Sequence, residues 1–223
     1  MSIREAANVN CPSCHQDFEV SIWQSLNANL DPKGKEDLLA GRLFQFTCPH
    51  CHADGTVNYP ILYHDMDHHA MVQYIVDEKD VEKAYEDFFE GPEVIGDYMK
   101  TKGYQVRFVT SQEDLREKAA IFDADLDDRI IELAKIVYAI LHQERYPDQN
   151  FKEIFFINHP EQGPSLYFAT GTPEEDFAIP IAEKLYNDLK SALSLVPEED
   201  LDKPIIDAKW AGELLKDYNL LMS

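Results

Sequence analysis

The residues of this chain best placed to do chemistry are its four cysteines, Cys11-Pro-Ser-Cys14 and Cys48-Pro-His-Cys51, which repeat one four-residue pattern. A Cys-x-x-Cys turn aims two sulfurs at one point, and two such turns complete the tetrahedron that zinc takes in structural sites. The expectation is therefore one structural Zn2+ held by Cys11, Cys14, Cys48 and Cys51. Four thiolates fill the coordination shell and leave no open position for water or substrate. Zinc binding of this kind is worth ~10 to 16 kcal/mol in small peptides, so the metal should control whether this region folds. The residue after the second cysteine of such a turn tends to need φ > 0 and is often glycine. Here it is His15 and His52, and histidine is among the non-glycine residues enriched in the left-handed region.

Paired thiols have two other uses. A rubredoxin-like carrier holds a single iron, with the red colour of a ferric thiolate. A dithiol enzyme uses one such motif, and Cys48-Pro-His-Cys51 has a dipeptide found in oxidising thioredoxin-like proteins. Those place it at a helix start, whereas Cys51 leads into His52-Ala-Asp-Gly55, which reads as a turn. A second candidate centre is the turn His64-Asp65-Met66-Asp67-His68-His69. An open site there, with His64 and Asp65 as catalytic candidates, would make the chain a metal-dependent hydrolase; the plain reading is a solvated hairpin connection. Asp127-Asp128-Arg129 reads as the first turn of a helix, where acids complement the dipole, or as an acidic binding site. Asn158-His159-Pro160-Glu161 reads as a hairpin loop, and Trp23, Tyr59 and Tyr63 as core residues. No Ser-His-Asp or Cys-His arrangement and no glycine-rich phosphate loop stands out.

These residues need elements to position them. Phe18, Val20 and Ile22 alternate with polar residues and predict a strand leaving the first cysteine pair. A short helix or turn follows over 31–41, a strand over 43–47 leads into Cys48, and an apolar run over 56–63 follows the second pair. Further on, the pattern predicts a strand over 70–76, a helix over 79–89 broken by Gly91-Pro92, a helix over 94–101 and a strand over 104–109. Ser111 is placed to cap a helix, with Asp114 three residues on. A long helix over 126–145 puts Ile130, Leu133, Ala134, Val137, Tyr138 and Leu141 on one face, and Pro147 ends it. Strands over 154–158 and 165–170, a helix over 174–195 with Phe177, Ile181, Leu185 and Leu189 on one stripe, and a last helix near 210–221 complete the chain.

Composition limits the function classes. The formal net charge is -22, and both parts are acidic, with 4 Lys and Arg against 11 Asp and Glu over residues 1–78 and 16 against 31 over 79–223. Nucleic-acid binding draws affinity from counterions released by a cationic surface, and no cluster of Lys and Arg supplies one. The plain reading of the acidity is a well-solvated surface, and a basic protein partner is the alternative. No apolar run approaches a bilayer span, and MSIREAANVN lacks the apolar core of a signal peptide. The expected location is cytoplasmic, where thiols stay reduced and paired cysteines bind metal.

Several stretches resemble the CpXC domain family, a prokaryotic group with paired Cys-Pro-x-Cys motifs. They are Phe44-Gln-Phe-Thr-Cys48-Pro-His-Cys51, Tyr59-Pro-Ile-Leu-Tyr63-His64-Asp65, Val106-Arg-Phe-Val109, Leu115-Arg-Glu-Lys118 and Phe122-Asp-Ala-Asp-Leu-Asp127-Asp128-Arg129. The resemblance covers about residues 8 to 140 and implies zinc binding by the four cysteines, without an activity to carry over. The expected fold is α+β: a zinc-ribbon-like β domain with helical additions over 8–147, then a small hairpin and helix unit over 148–223. The expected function is that of a zinc-stabilised interaction or scaffold protein rather than an enzyme.

Overall fold

The chain opens with β1 (Ile3–Asn10), a strand absent from the sequence reading because IREAANVN carries no apolar alternation and stays almost wholly exposed. It is an edge strand, formed by antiparallel pairing with β2 (Asp17–Asn27) in a register from Ile3–Ser25 to Asn10–Asp17. The computed structural model describes residues 2–90, 95–159 and 161–220. Helix α1 (Pro32–Leu39) follows, and Gly34 lets it approach β2 so closely that a Cβ there would lie 2.5 Å from Leu26. A small two-stranded sheet, β3 (Gln45–Thr47) with β4 (Asp54–Thr56), stands apart from the main one. The apolar run expected over 56–63 is thus split between β4 and β5 (Ile61–Asp65).

β6 (Ala70–Tyr74), α2 (Val81–Phe89), α3 (Ile95–Thr101) and β7 (Gln105–Val109) come next. The five-stranded sheet has the order β1-β2-β5-β6-β7, antiparallel at β1/β2 and β5/β6 and parallel at β2/β5 and β6/β7. Met71, Ile75, Val106 and Phe108 of the sheet region and Phe89 of α2 form a core cluster, with Phe88 and Phe108 meeting edge to face at 5.9 Å. The Gly91-Pro92 helix breaker and residue 94 lie outside the described residues.

The chain packs as two units, Met1–Arg116 and Glu117–Ser223, and the division falls inside α4 (Gln112–Asp123). Ser111 caps this helix, its hydroxyl accepting the Asp114 N–H at 2.9 Å. The second unit contains α5 (Asp128–Arg145), β8 (Glu153–His159), β9 (Gly163–Ala169), β10 (Phe177–Pro180), α6 (Glu183–Leu193), α7 (Glu198–Leu201) and α8 (Ala208–Asp217). The sequence reading carried its first domain to 147, after the long helix. A helix groups with whatever covers its apolar stripe, and the stripe of α5 is covered by Phe156, Leu166, Phe168, Leu189, Trp210 and Leu214.

Two details of this unit differ from the periodicity. Phe177 and Ile181 are not on a helix: β10 joins the antiparallel sheet β10-β9-β8, and α6 starts at Glu183. Pro180 is the physical reason, because proline blocks a helix interior and biases its predecessor to extended backbone. Leu141 is 53 % exposed, while His142 is buried and stacks on Phe177 with ring centroids 4.9 Å apart. About eleven residues make three helical turns, so His142 continues the stripe of buried Ile131. The end of the last expected helix, at Leu221, lies outside the described residues, as does Pro160 of the β8–β9 loop. There the His159 ring accepts the Glu161 and Gln162 N–H groups at 3.2 Å.

Between α4 and α5 lies a buried ionic network. Lys118 Nζ reaches Asp128 and Glu132, both at 3.1 Å. Lys135 Nζ reaches Glu132 at 3.1 Å and Glu117 at 2.7 Å, and Glu117 also accepts the Phe156 N–H. All five side chains are buried, and burial pushes the Glu117 carboxyl up. Asp127 is the N-cap of α5, accepting the Arg129 N–H at 2.9 Å, and also pairs with the Arg129 guanidinium. Asp127-Asp128-Arg129 is therefore structural: Asp128 is fully buried and offers no acidic binding surface.

Candidate metal centre

Each Cys-Pro-x-Cys sits at the tip of an antiparallel hairpin, the first between β1 and β2 and the second between β3 and β4. The backbone closes both turns the same way. Cys11 N–H donates to Gln16 O at 3.0 Å and His15 N–H to Cys11 O at 2.8 Å; Cys48 N–H donates to Ala53 O at 2.9 Å and His52 N–H to Cys48 O at 3.0 Å. His15 and His52 take φ of 58° and 60°, the left-handed conformation expected after the second cysteine.

The repeat is longer than the cysteines. Asn10 Nδ2 donates to Asp17 Oδ1 at 2.7 Å, and Thr47 Oγ1 donates to Asp54 Oδ1 at 2.7 Å. In both hairpins the residue before the first cysteine is clamped to the aspartate paired with it across the last rung. The sequence carries this as Cys-Pro-x-Cys-His-x-Asp, twice, so Asp17 and Asp54 were readable by aligning the two copies over seven residues. The four-residue pattern alone does not reach either aspartate.

The tips meet. Phe18 of β2 packs on Phe46 of β3 at 5.3 Å and against His50 of the second turn at 6.4 Å. Gly55 makes room for the Phe46 ring, since a Cβ there would lie 2.5 Å from it. Gly55→Ala is accordingly expected to push Phe46 off Phe18 and to destabilise the first unit by about 1 to 3 kcal/mol, the usual range for overpacking. Urea denaturation checks this, and a midpoint equal to wild type would refute it.

The four sulfurs lie within 4.8 Å of one another, with Cys11–Cys51 at 3.7 Å and Cys14–Cys48 at 3.8 Å. Zinc–sulfur bonds of about 2.3 Å at tetrahedral angles place sulfurs about 3.8 Å apart, so the donor set fits such an ion. All four are free thiols. Sulfurs this close do not ionise independently. The backbone N–H groups of Cys14 and Ser13 hold Cys11 down at about 6 against the effect of burial. The Gln16 N–H favours the Cys14 thiolate, yet burial and the sulfurs of Cys51, Cys11 and Cys48 push it up to about 12. A bound dication relieves that repulsion and allows four thiolates at neutral pH.

Among the described residues, these cysteines are the one group of three or more Cys, His, Asp or Glu whose ligand atoms converge. His64 and Asp65 are not brought together. They are neighbours on β5, where successive side chains take opposite faces; Ile61, Tyr63 and Asp65 are buried, while Leu62 and His64 are half-buried. His64 has both ring nitrogens engaged. The Asn27 amide donates to Nδ1 at 3.3 Å, so the neutral ring carries its proton on Nε2, 3.1 Å from Tyr104 Oη. Burial keeps its imidazole below the ordinary histidine range.

Asp65 organises the turn rather than an open centre. Its carboxylate accepts from Lys35 Nζ at 3.0 Å, Tyr63 Oη at 3.1 Å and the Asp67 and His68 N–H groups at 3.1 and 3.2 Å, with His68 Nδ1 at 3.0 Å. Burial alone would raise this carboxyl; the His68 ring, Lys35 and the His68 N–H outweigh it and hold it at about 2. A depressed carboxyl contributes stability that is present above its unfolded value of about 3.9 and lost as pH falls towards 2, here about 2 kcal/mol. Denaturation of wild type and Asp65→Asn at pH 5 and pH 2 checks this. The gap between the two chains should close at pH 2, and an unchanged gap would refute it. Trp23, Tyr59 and Tyr63 are buried, as expected of core residues.

The family described as CpXC protein matches residues 9–135, more than half of the chain. No curated protein and no solved structure matches it.

Proposed function

Because this chain belongs to the CpXC family, whose paired cysteines here converge on one point, we propose that it is a zinc-stabilised scaffold that presents the loops around its two hairpin tips to another protein. The observation that carries this is the four-sulfur set at the meeting of two hairpin tips, which supports a zinc-ribbon reading. Zinc suits it through the tetrahedral spacing and the all-thiolate donors. A filled shell of four thiolates supports a structural role rather than water activation. The acidic composition supports a basic partner over nucleic acid, because a cationic surface is what phosphate binding requires. Among the described residues no helix is long and apolar enough to cross a membrane.

The test begins with metal stoichiometry and the absorption spectrum of freshly purified protein. A colourless chain with one zinc is expected; a red chain with one iron would replace the scaffold with an electron carrier. Affinity capture then compares metal-loaded with metal-stripped protein. A partner held by the loaded form and lost on stripping is expected. A partner retained equally by both forms, or turnover of a small molecule by the loaded form, would overturn the scaffold reading.

A further inference from the structure

Resting on the four-thiolate reading, we propose that Cys51 is an oxidation site through which hydrogen peroxide opens the metal centre, forming a disulfide between the two motifs rather than within either. Two observations carry this. The four ligands differ in access: Cys11 and Cys48 are buried, Cys14 is intermediate and Cys51 alone of the four is exposed. The sulfur contacts of 3.7 and 3.8 Å, Cys11–Cys51 and Cys14–Cys48, both run between motifs. A disulfide needs its sulfurs about 2.05 Å apart, so either pair closes with a shift of about 1.7 Å.

The chemistry balances with peroxide as the oxidant. The Cys51 sulfur attacks one peroxide oxygen; the O–O bond breaks, hydroxide leaves, and Cys51 becomes a sulfenic acid, oxidised by two electrons. The Cys11 sulfur then attacks the Cys51 sulfur. The S–S bond forms, the S–O bond breaks and a second hydroxide leaves, and two protons from solvent turn the two hydroxides into water. The centre keeps two of its four ligands and releases its ion. A second peroxide can join Cys14 and Cys48 in the same way. The product ties hairpin tip to hairpin tip covalently where the metal had held them, so oxidation exchanges a metal crosslink for a disulfide crosslink at the same place. This is modification of the chain and differs from dithiol catalysis, which would cycle a disulfide inside one Cys-x-x-Cys.

The experiment treats the metal-loaded full chain with hydrogen peroxide. Released metal is followed with a chromogenic chelator, and disulfides are mapped by mass spectrometry of unreduced peptides. One equivalent of metal released together with a Cys11–Cys51 link, reversed by dithiothreitol and added zinc, is expected. A mapped product dominated by Cys11–Cys14 or Cys48–Cys51, release without any disulfide, or a centre that keeps its metal under peroxide would each overturn the proposal. Cys51→His supplies a second arm, because imidazole replaces the sulfur of the exposed residue as a ligand; release should slow at least tenfold, and an unchanged rate counts against Cys51 as the entry point. Metal analysis before treatment separates this from the reading it rests on. If the chain carries no metal the four-thiolate site fails, while peptide mapping of the same peroxide-treated chain still tests which sulfurs join.

Discussion

Replacing Cys48 with serine is expected to reduce bound metal from one ion per chain to less than about a tenth, because one hydroxyl in place of a thiolate forfeits the donor set that suits zinc. The structural effect should fall on β3 and β4. They form a sheet of two strands paired over three residues each, and an isolated hairpin of that kind is marginal in water. The contact of Phe46 with Phe18 holds it, and an ion shared by the four cysteines would add a second tie. An ion present at about a thousandfold its Kd contributes about 4 kcal/mol, so its loss should lower the thermal midpoint by more than any surface substitution. Limited proteolysis is expected to cut the variant between residues 42 and 58 while wild type resists. Cys51→Ser should lose metal equally but perturb packing less, since Cys51 is exposed and Cys48 buried. A Cys48→Ser chain with full metal content and wild-type proteolysis would refute the account of the centre.

The second large effect is expected in the other unit, from Lys118→Met. The substitution keeps most of the length of the side chain and removes the cation, taking from Asp128 the ammonium 3.1 Å away and leaving Glu132 paired with Lys135. Removing one partner from a buried pair costs about 3 to 5 kcal/mol, because the remaining charge keeps its desolvation penalty without the compensating attraction. The same principle gives a control. Replacing the connected charges together with apolar residues of similar volume should recover most of the loss. Urea unfolding of the single and multiple variants measures both. A single variant as stable as wild type would show that the network contributes nothing, and a multiple variant as unstable as the single one would show that these charges are needed as charges.

Why some features were readable and others were not follows from the range of the forces involved. The grouping of the four cysteines was legible because spacing, pairing and thiol chemistry are local, and the left-handed His15 and His52 follow from the same turn. The Ser111 cap is a local hydrogen bond. Strand β1 was not legible: its residues form a strand because β2 offers partners, and nothing in their own pattern requires it. Strand β10 was misread as helix because Phe177, Ile181, Leu185 and Leu189 keep helical spacing, while the objection lay in the single residue Pro180. His64 and Asp65 looked like a pair because they are adjacent, yet adjacency on a strand sends them to opposite faces.

By itself, then, the sequence determined the donor set, the turn that carries it, the acidic character and the α+β class, since each depends on residue type at short spacing. The tertiary structure decided what those residues face. It brought sulfurs 40 residues apart to 3.7 Å, placed the long helix with the second unit, and buried Lys118 and Lys135 among Glu117, Asp128 and Glu132. Burial and long-range pairing depend on the surface that each stretch meets, and a linear pattern records the stretch without recording its partner.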